Sequence, residues 1–145
     1  MTKSVQDEIQ AMVDRETRAW DSKDADALVS LFHPDMVWPW PKDSHSHDPI
    51  DWVCPLGRFH PVRWRNSWQT LFDTHILVHN RRNTLKITIT DEADGAFAVV
   101  DVDTLWRRAD TGEDFHWSGR ACKVYTKIGP DWKLISHTGL LNYNT

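Results

Sequence analysis

Asp73-Thr74-His75-Ile76-Leu77-Val78-His79-Asn80-Arg81-Arg82-Asn83-Thr84 is where a helical hydrophobic pattern gives way to an alternating one. Upstream, Trp64, Trp68, Leu71, Phe72 and His75 recur at helical spacing. Downstream, Leu85, Ile87 and Ile89 alternate with Lys86, Thr88 and Thr90, as in a half-buried strand. His79 stands at the handover, a position from which an imidazole can look into a cavity between helix and sheet.

Working outward, the chain upstream reads as helices. Val5, Ile9, Met12, Val13, Glu16 and Trp20 share one helical face, and Ser4 with Asp7 makes a capping pair, so a first helix runs over about 4–21. Asp24 caps a short second helix carrying Leu28, Leu31 and Phe32, which Pro34 ends. Residues 35–41, with Trp38 and Trp40 on one face and two prolines, fit an edge strand or a pocket wall. The irregular stretch 42–60 has the length of a functional lid, and Pro61 opens a third helix that continues to about Leu77. Downstream, turn signals at 91–95, 109–113 and 128–131 separate about four strands rich in Val, Ile, Trp, Thr and Tyr. Helices followed by an antiparallel meander is the α+β pattern, with the helices on one face of a curved sheet.

The 145 residues suit one domain spanning 1–145, and 40% hydrophobic residues with nine Trp can fill its core. A formal charge of −4 opposes a nucleic-acid surface, which needs clustered positive charge. No run reaches the length of a membrane span and the first residues are polar, so no membrane partner and a cytoplasmic location are expected. Cys54 and Cys122 offer neither a disulfide framework nor zinc spacing.

Three residues carry the chemical expectations. Asp21 sits at a helix C-terminus, where the macrodipole disfavours a carboxylate unless a cation is near; alone it is also an ordinary solvated turn residue. His79 has the chemistry of a general base if a carboxylate orients it, and otherwise that of a helix-end histidine bonded to backbone. His137, in the last strand, faces the pocket or solvent according to register. Asp101 and Asp103 share one strand face and suit either an ion pair with Arg120 or His137, or the solvent side. His45-Ser46-His47-Asp48 has the spacing of a metal-binding loop, but it lacks further ligands and is read as polar loop; no metal and no cofactor are expected.

Helix one, residues 24–35, the helix leading to His79, 118–125 and 131–135 together resemble the nuclear transport factor 2 superfamily, in the SnoaL-like branch that holds the hexachlorocyclohexane dehydrochlorinases and scytalone dehydratases. The resemblance implies a cone-shaped α+β fold, three N-terminal helices packed on a strongly curved antiparallel sheet enclosing a pocket. It implies catalytic roles for Asp21 and His79 as a dyad, with His137 in the last strand. Glu16, Trp20, Trp38, Trp40, Val99, Asp101, Trp117, Ala121 and Leu141 are implied to face the cavity and touch substrate. Trp40 and Glu16 stand where the ketosteroid isomerases carry their base aspartate and their tyrosine, which disfavours that mechanism. The implied activity is a cofactor-independent lyase or isomerase that abstracts a proton from a small cyclic or aromatic substrate. The alternative is a non-catalytic ligand-binding or oligomerisation module, and a homodimer is implied in either case.

Overall fold

The computed structural model describes residues 4–142; residues 1–3 and 143–145, the ends of the expected unit, lie outside the described residues. Helix α1 (Val5–Asp21) begins where Ser4 Oγ accepts the Asp7 amide at 3.1 Å, and it buries Ile9, Met12, Val13, Glu16, Ala19 and Trp20. Glu16 falls on that stripe by spacing alone, so the helix carries a carboxylate into the core. Asp24 caps α2 (Ala25–Val29), accepting the Ala27 amide at 3.0 Å.

Helix α2 stops earlier than its apolar spacing suggests. Phe32 is buried as expected, but it opens strand β1 (Phe32–Val37), which runs through Pro34. Strand β1 is an edge strand held only by β7, in parallel, so the missing proline N–H costs no ladder bond. Beyond it, β2 (Trp40–Pro41) pairs with β3 (Trp52–Val53) to form a small separate ribbon. The loop between them is tied down by Trp52 Nε1 donating to the Ser46 carbonyl at 2.9 Å and by His47 Nδ1 to the Leu140 carbonyl at 2.8 Å. Asp48 caps the 3-10 turn Pro49–Asp51. The histidine-rich loop thus spends His47 and Asp48 on structure.

Helix α3 (Pro61–Thr74) is three residues shorter than expected, because His75 is already extended (φ −129°, ψ 150°) and pairs with Arg108. From there β4 (His75–Ile89), β5 (Gly95–Arg108), β6 (Asp114–Ile128) and β7 (Asp131–His137) form the meander. The five-stranded curved sheet has the order β1-β7-β6-β5-β4. All three expected turns fall between its strands.

Even-numbered residues of β5 (Ala96, Ala98, Val100, Val102, Thr104, Trp106) are buried and define the inner face, against which the helices pack. Their direct partners Ala121, Lys123 and Tyr125 extend that face onto β6, and His137 opposite Lys123 extends it onto β7. Odd-numbered residues of β5 face outward. The register of β4 slips between Leu77, opposite Trp106, and His79, opposite Leu105. That bulge at Val78 turns Leu77 inward, His79 outward and Asn80 inward, since one residue of slip exchanges the faces. Among the described residues no helix is long and apolar enough to cross a membrane.

Candidate active site

The inner face collects ionisable groups in its driest part. Glu16 from α1 and Lys123 from β6 form an ion pair in which Lys123 Nζ lies 2.8 Å from both Glu16 oxygens. Their side chains are 2% and 1% exposed. The third ammonium N–H points to His137 Nε2 at 3.0 Å, and His137 Nδ1 donates to the Thr138 carbonyl at 2.8 Å. Trp20 Nε1 donates to Glu16 Oε2 at 3.0 Å. Every Lys123 proton therefore has an acceptor, and the pattern requires charged lysine, charged glutamate and neutral imidazole.

The titration behaviour agrees with that assignment. Burial disfavours the Glu16 carboxylate, yet Lys123, His137 and Arg82 together outweigh it and bring the group down to about 2. Burial lowers Lys123 to about 8 despite Glu16 beside it. His137 is pushed down to about 3, first by burial and then by the Lys123 charge. Arg82, its side chain 6% exposed, brings Nη1 within 3.8 Å of Glu16, so two buried cations face one buried carboxylate.

Arg82 also links this cluster to Asp21. Its Nε donates to Asn80 Oδ1 at 2.7 Å, Thr104 Oγ1 donates to the same oxygen at 2.7 Å, and Asn80 Nδ2 donates to Asp21 Oδ1 at 2.9 Å. The carboxylate at the end of α1 thus finds its partner in Asn80. His79, one residue earlier, lies on the outer face and bonds Asp103 Oδ1 at 2.9 Å. The expected Asp21–His79 dyad is not formed; the bulge at Val78 gives the inward position to Asn80.

Over the cluster lies an aromatic stack. The Trp38 ring is stacked on His137 with centroids 4.1 Å apart, and Trp40 is stacked on Trp38 at 5.7 Å. Trp117 meets Trp40 and Trp20 edge-on at 5.5 and 5.6 Å. The stack ends at a cleft of about 460 Å³ lined by Trp40, His47, Phe115, His116, Trp117 and Leu140. Tyr125 Oη and Trp106 Nε1, on the inner face, are among the buried polar atoms with no protein partner.

Among the sequence-derived site residues, Glu16, Trp20, Trp38, Trp40, Trp117, Ala121 and His137 come together on the inner side. Val99 and Asp101 do not, because odd-numbered β5 residues face outward; Asp101 Oδ1 accepts from Arg120 Nε there at 2.8 Å. Leu141 pairs with Arg120 and borders a shallow depression with Asp101, away from the cluster. Lys123, Arg82, Asn80 and Thr104 were missed. A signal for Lys123 did exist: a lone lysine alternating with Ala121 and Tyr125 in a strand whose neighbours on that face are apolar.

Three helices on one face of a curved, mostly antiparallel sheet place the fold in the nuclear transport factor 2-like class. Within that class, the chain belongs to the SnoaL-like domain family, which matches residues 3–138. No curated protein matches by sequence. A ketosteroid isomerase-like protein from Erwinia carotovora atroseptica superposes with a TM-score of 0.67 at 14% identity, covering 92% of this chain and 94% of that one. An NTF2-like protein from Cytophaga hutchinsonii gives 0.66 at 16%, covering 95% and 97%. A scytalone dehydratase candidate from Novosphingobium aromaticivorans gives 0.65 at 14%, covering 90% and 78%. At such identities the likeness is one of fold.

Proposed function

We propose that the protein is a cofactor-independent lyase or isomerase that moves a proton on a small cyclic or aromatic molecule, with Lys123, Glu16 and His137 in place of an Asp21–His79 dyad. The observation that carries this reading is the ionic trio, buried to within 2% of full burial and joined to an open cleft by a stack of two indoles. A buried ion pair contributes little net stability after desolvation, so retaining one under an aromatic stack points to chemistry.

A flat substrate entering from the cleft takes the place of an indole in the stack. Its carbonyl oxygen then accepts the Lys123 N–H that His137 Nε2 accepts in the free protein. Released from that bond and from the Lys123 contact that helps hold it low, the neutral imidazole takes a proton from the carbon beside the carbonyl, and the imidazolium then returns it to another carbon of the substrate or to a departing β-hydroxyl, which leaves as water. Negative charge developing on the oxygen meets Lys123 and Arg82, the excess positive charge of the site, in a water-poor interior where such stabilisation is strongest. Glu16 keeps Lys123 protonated throughout.

The test is deuterium uptake from D2O into a panel of cyclic ketones and β-hydroxy ketones, followed by NMR. Uptake or elimination is expected to fall by about 10²–10⁴-fold in His137→Asn. Turnover unchanged in that variant sinks the assignment.

A further inference from the structure

The outer face carries a second cluster that the proposed chemistry does not use. Strand β5 presents Asp103 between two histidines of its neighbours, His79 on β4 and His116 on β6. Both histidines sit opposite Leu105 across their ladders, and both lean toward Asp103, two residues away on the same face. His79 Nε2 lies 2.9 Å and His116 Nε2 2.7 Å from the same atom, Asp103 Oδ1. The three ligating atoms all fall within 4.8 Å of one another. The rings stand nearly perpendicular, at 84°, with centroids 6.2 Å apart.

We propose that His79, Asp103 and His116 form a binding site for a divalent transition metal, best suited to zinc, on the outer face of the sheet. Two imidazoles and one carboxylate are the donor set of open zinc sites, in which water fills the fourth position. Calcium and magnesium prefer oxygen ligands throughout, so the nitrogens select against them. Tetrahedral zinc at about 2.0–2.1 Å from each ligand holds neighbouring ligand atoms roughly 3.3 Å apart. Each histidine therefore needs to withdraw by about half an ångström from Asp103 while the two Nε2 atoms, within 4.8 Å of each other, close toward the same spacing, shifts that side-chain rotation supplies. Each imidazole then carries its proton on Nδ1 and offers Nε2 to the metal.

Two features of the surroundings fit this role. Arg81 Nη1 lies 3.6 Å from Asp103 Oδ2, the oxygen the histidines leave free, which orients the carboxylate and leaves Oδ1 as the single ligand atom. The bulge at Val78 interrupts the β4–β5 ladder and is what brings His79 to this face; bulges commonly re-aim a side chain in this way. Side-chain exposures of 25% for His79, 40% for Asp103 and 51% for His116 leave an entry path and a water-accessible position.

The test is calorimetric titration of the tag-free chain with zinc chloride, run beside an NMR titration that follows the histidine imidazoles. One equivalent is expected to bind, shifting His79 and His116 signals but not those of His45 and His47. His116→Ala and Asp103→Asn are each expected to weaken binding by at least about tenfold, the size seen when even an outer partner of a metal ligand is lost. Both positions are partly exposed, and circular dichroism checks that the variants stay folded. The proposal is overturned if zinc fails to bind, if binding is undiminished in both variants, or if His47→Ala removes it instead.

Discussion

Removing either partner of the Glu16–Lys123 pair should be far more damaging than removing both. In Lys123→Met the Glu16 carboxylate loses two hydrogen bonds of 2.8 Å and keeps Trp20 Nε1, with Arg82 Nη1 and His137 Nε2 each 3.8 Å away. In Glu16→Gln the ammonium keeps an amide oxygen and His137 but loses its counter-charge. Breaking one side of a pair this buried costs about 3–5 kcal/mol, because the remaining charge cannot reach water. For a chain of this length that lowers the melting temperature by roughly 10 °C. The double variant Glu16→Gln/Lys123→Met removes both charges of the pair, leaves His137 Nε2 without a donor at a cost of about 1–3 kcal/mol, and leaves Arg82 with Asp21 as its remaining carboxylate charge. Chemical denaturation of the four proteins gives the cycle, and the double variant should be more stable than the singles added together by several kcal/mol. Additive costs, or single losses below about 1 kcal/mol, would show that the two groups reach solvent and refute the buried pair.

Other outcomes follow from the same geometry. His137 and Glu16 both have lowered pKa values in the folded state, so the unfolded chain binds more protons as acid is added. The contribution of these two groups should be full above pH 6.5, fall as His137 is called on to charge between 6.5 and about 3, and fall more steeply below 4.5 as Glu16 joins in; His137→Asn should flatten the upper part of a urea-midpoint profile. Gly139→Ala places a Cβ 2.9 Å from Trp52 Cε2 and 3.0 Å from Pro41 Cδ, so it should cost about 1–3 kcal/mol in thermal unfolding and loosen the β2–β3 ribbon. Asp21 and His79 belong to separate clusters: the His79 imidazole resonances should move in Asp103→Asn and stay in place in Asp21→Asn, and the reverse would restore the dyad.

The strands and helices were legible because their signals are local. Ser4 and Asp24 cap where their side chains say they should, Pro61 opens α3, and the alternation along β5 separates Val100 and Val102 from Asp101 and Asp103 without ambiguity. What escaped was register. The bulge at Val78 is set by how β4 pairs with β5, a long-range choice that leaves no mark on the residues themselves, and it exchanges His79 for Asn80 at the inward position. The same blindness placed Val99 and Asp101 in the pocket by family register when their strand turns them outward. Lys123 was hidden differently: its neighbours suggested an apolar face, and only Glu16, 107 residues away, explains how a lysine can stay there. The early end of α2 coincides with a second way to bury Phe32, which pairs with Leu134 at the sheet edge and is buried there.

The central claim is that chemistry resides in the Lys123–Glu16–His137 cluster beneath Trp38 and Trp40. Its most direct test is the D2O exchange and elimination assay on wild type, Glu16→Gln/Lys123→Met, His137→Asn and Asp21→Asn, each first confirmed as folded. Activity should drop by at least about 10²-fold in the two cluster variants and persist in Asp21→Asn. Activity that survives loss of Lys123 and His137, or that vanishes with Asp21 alone, would contradict it.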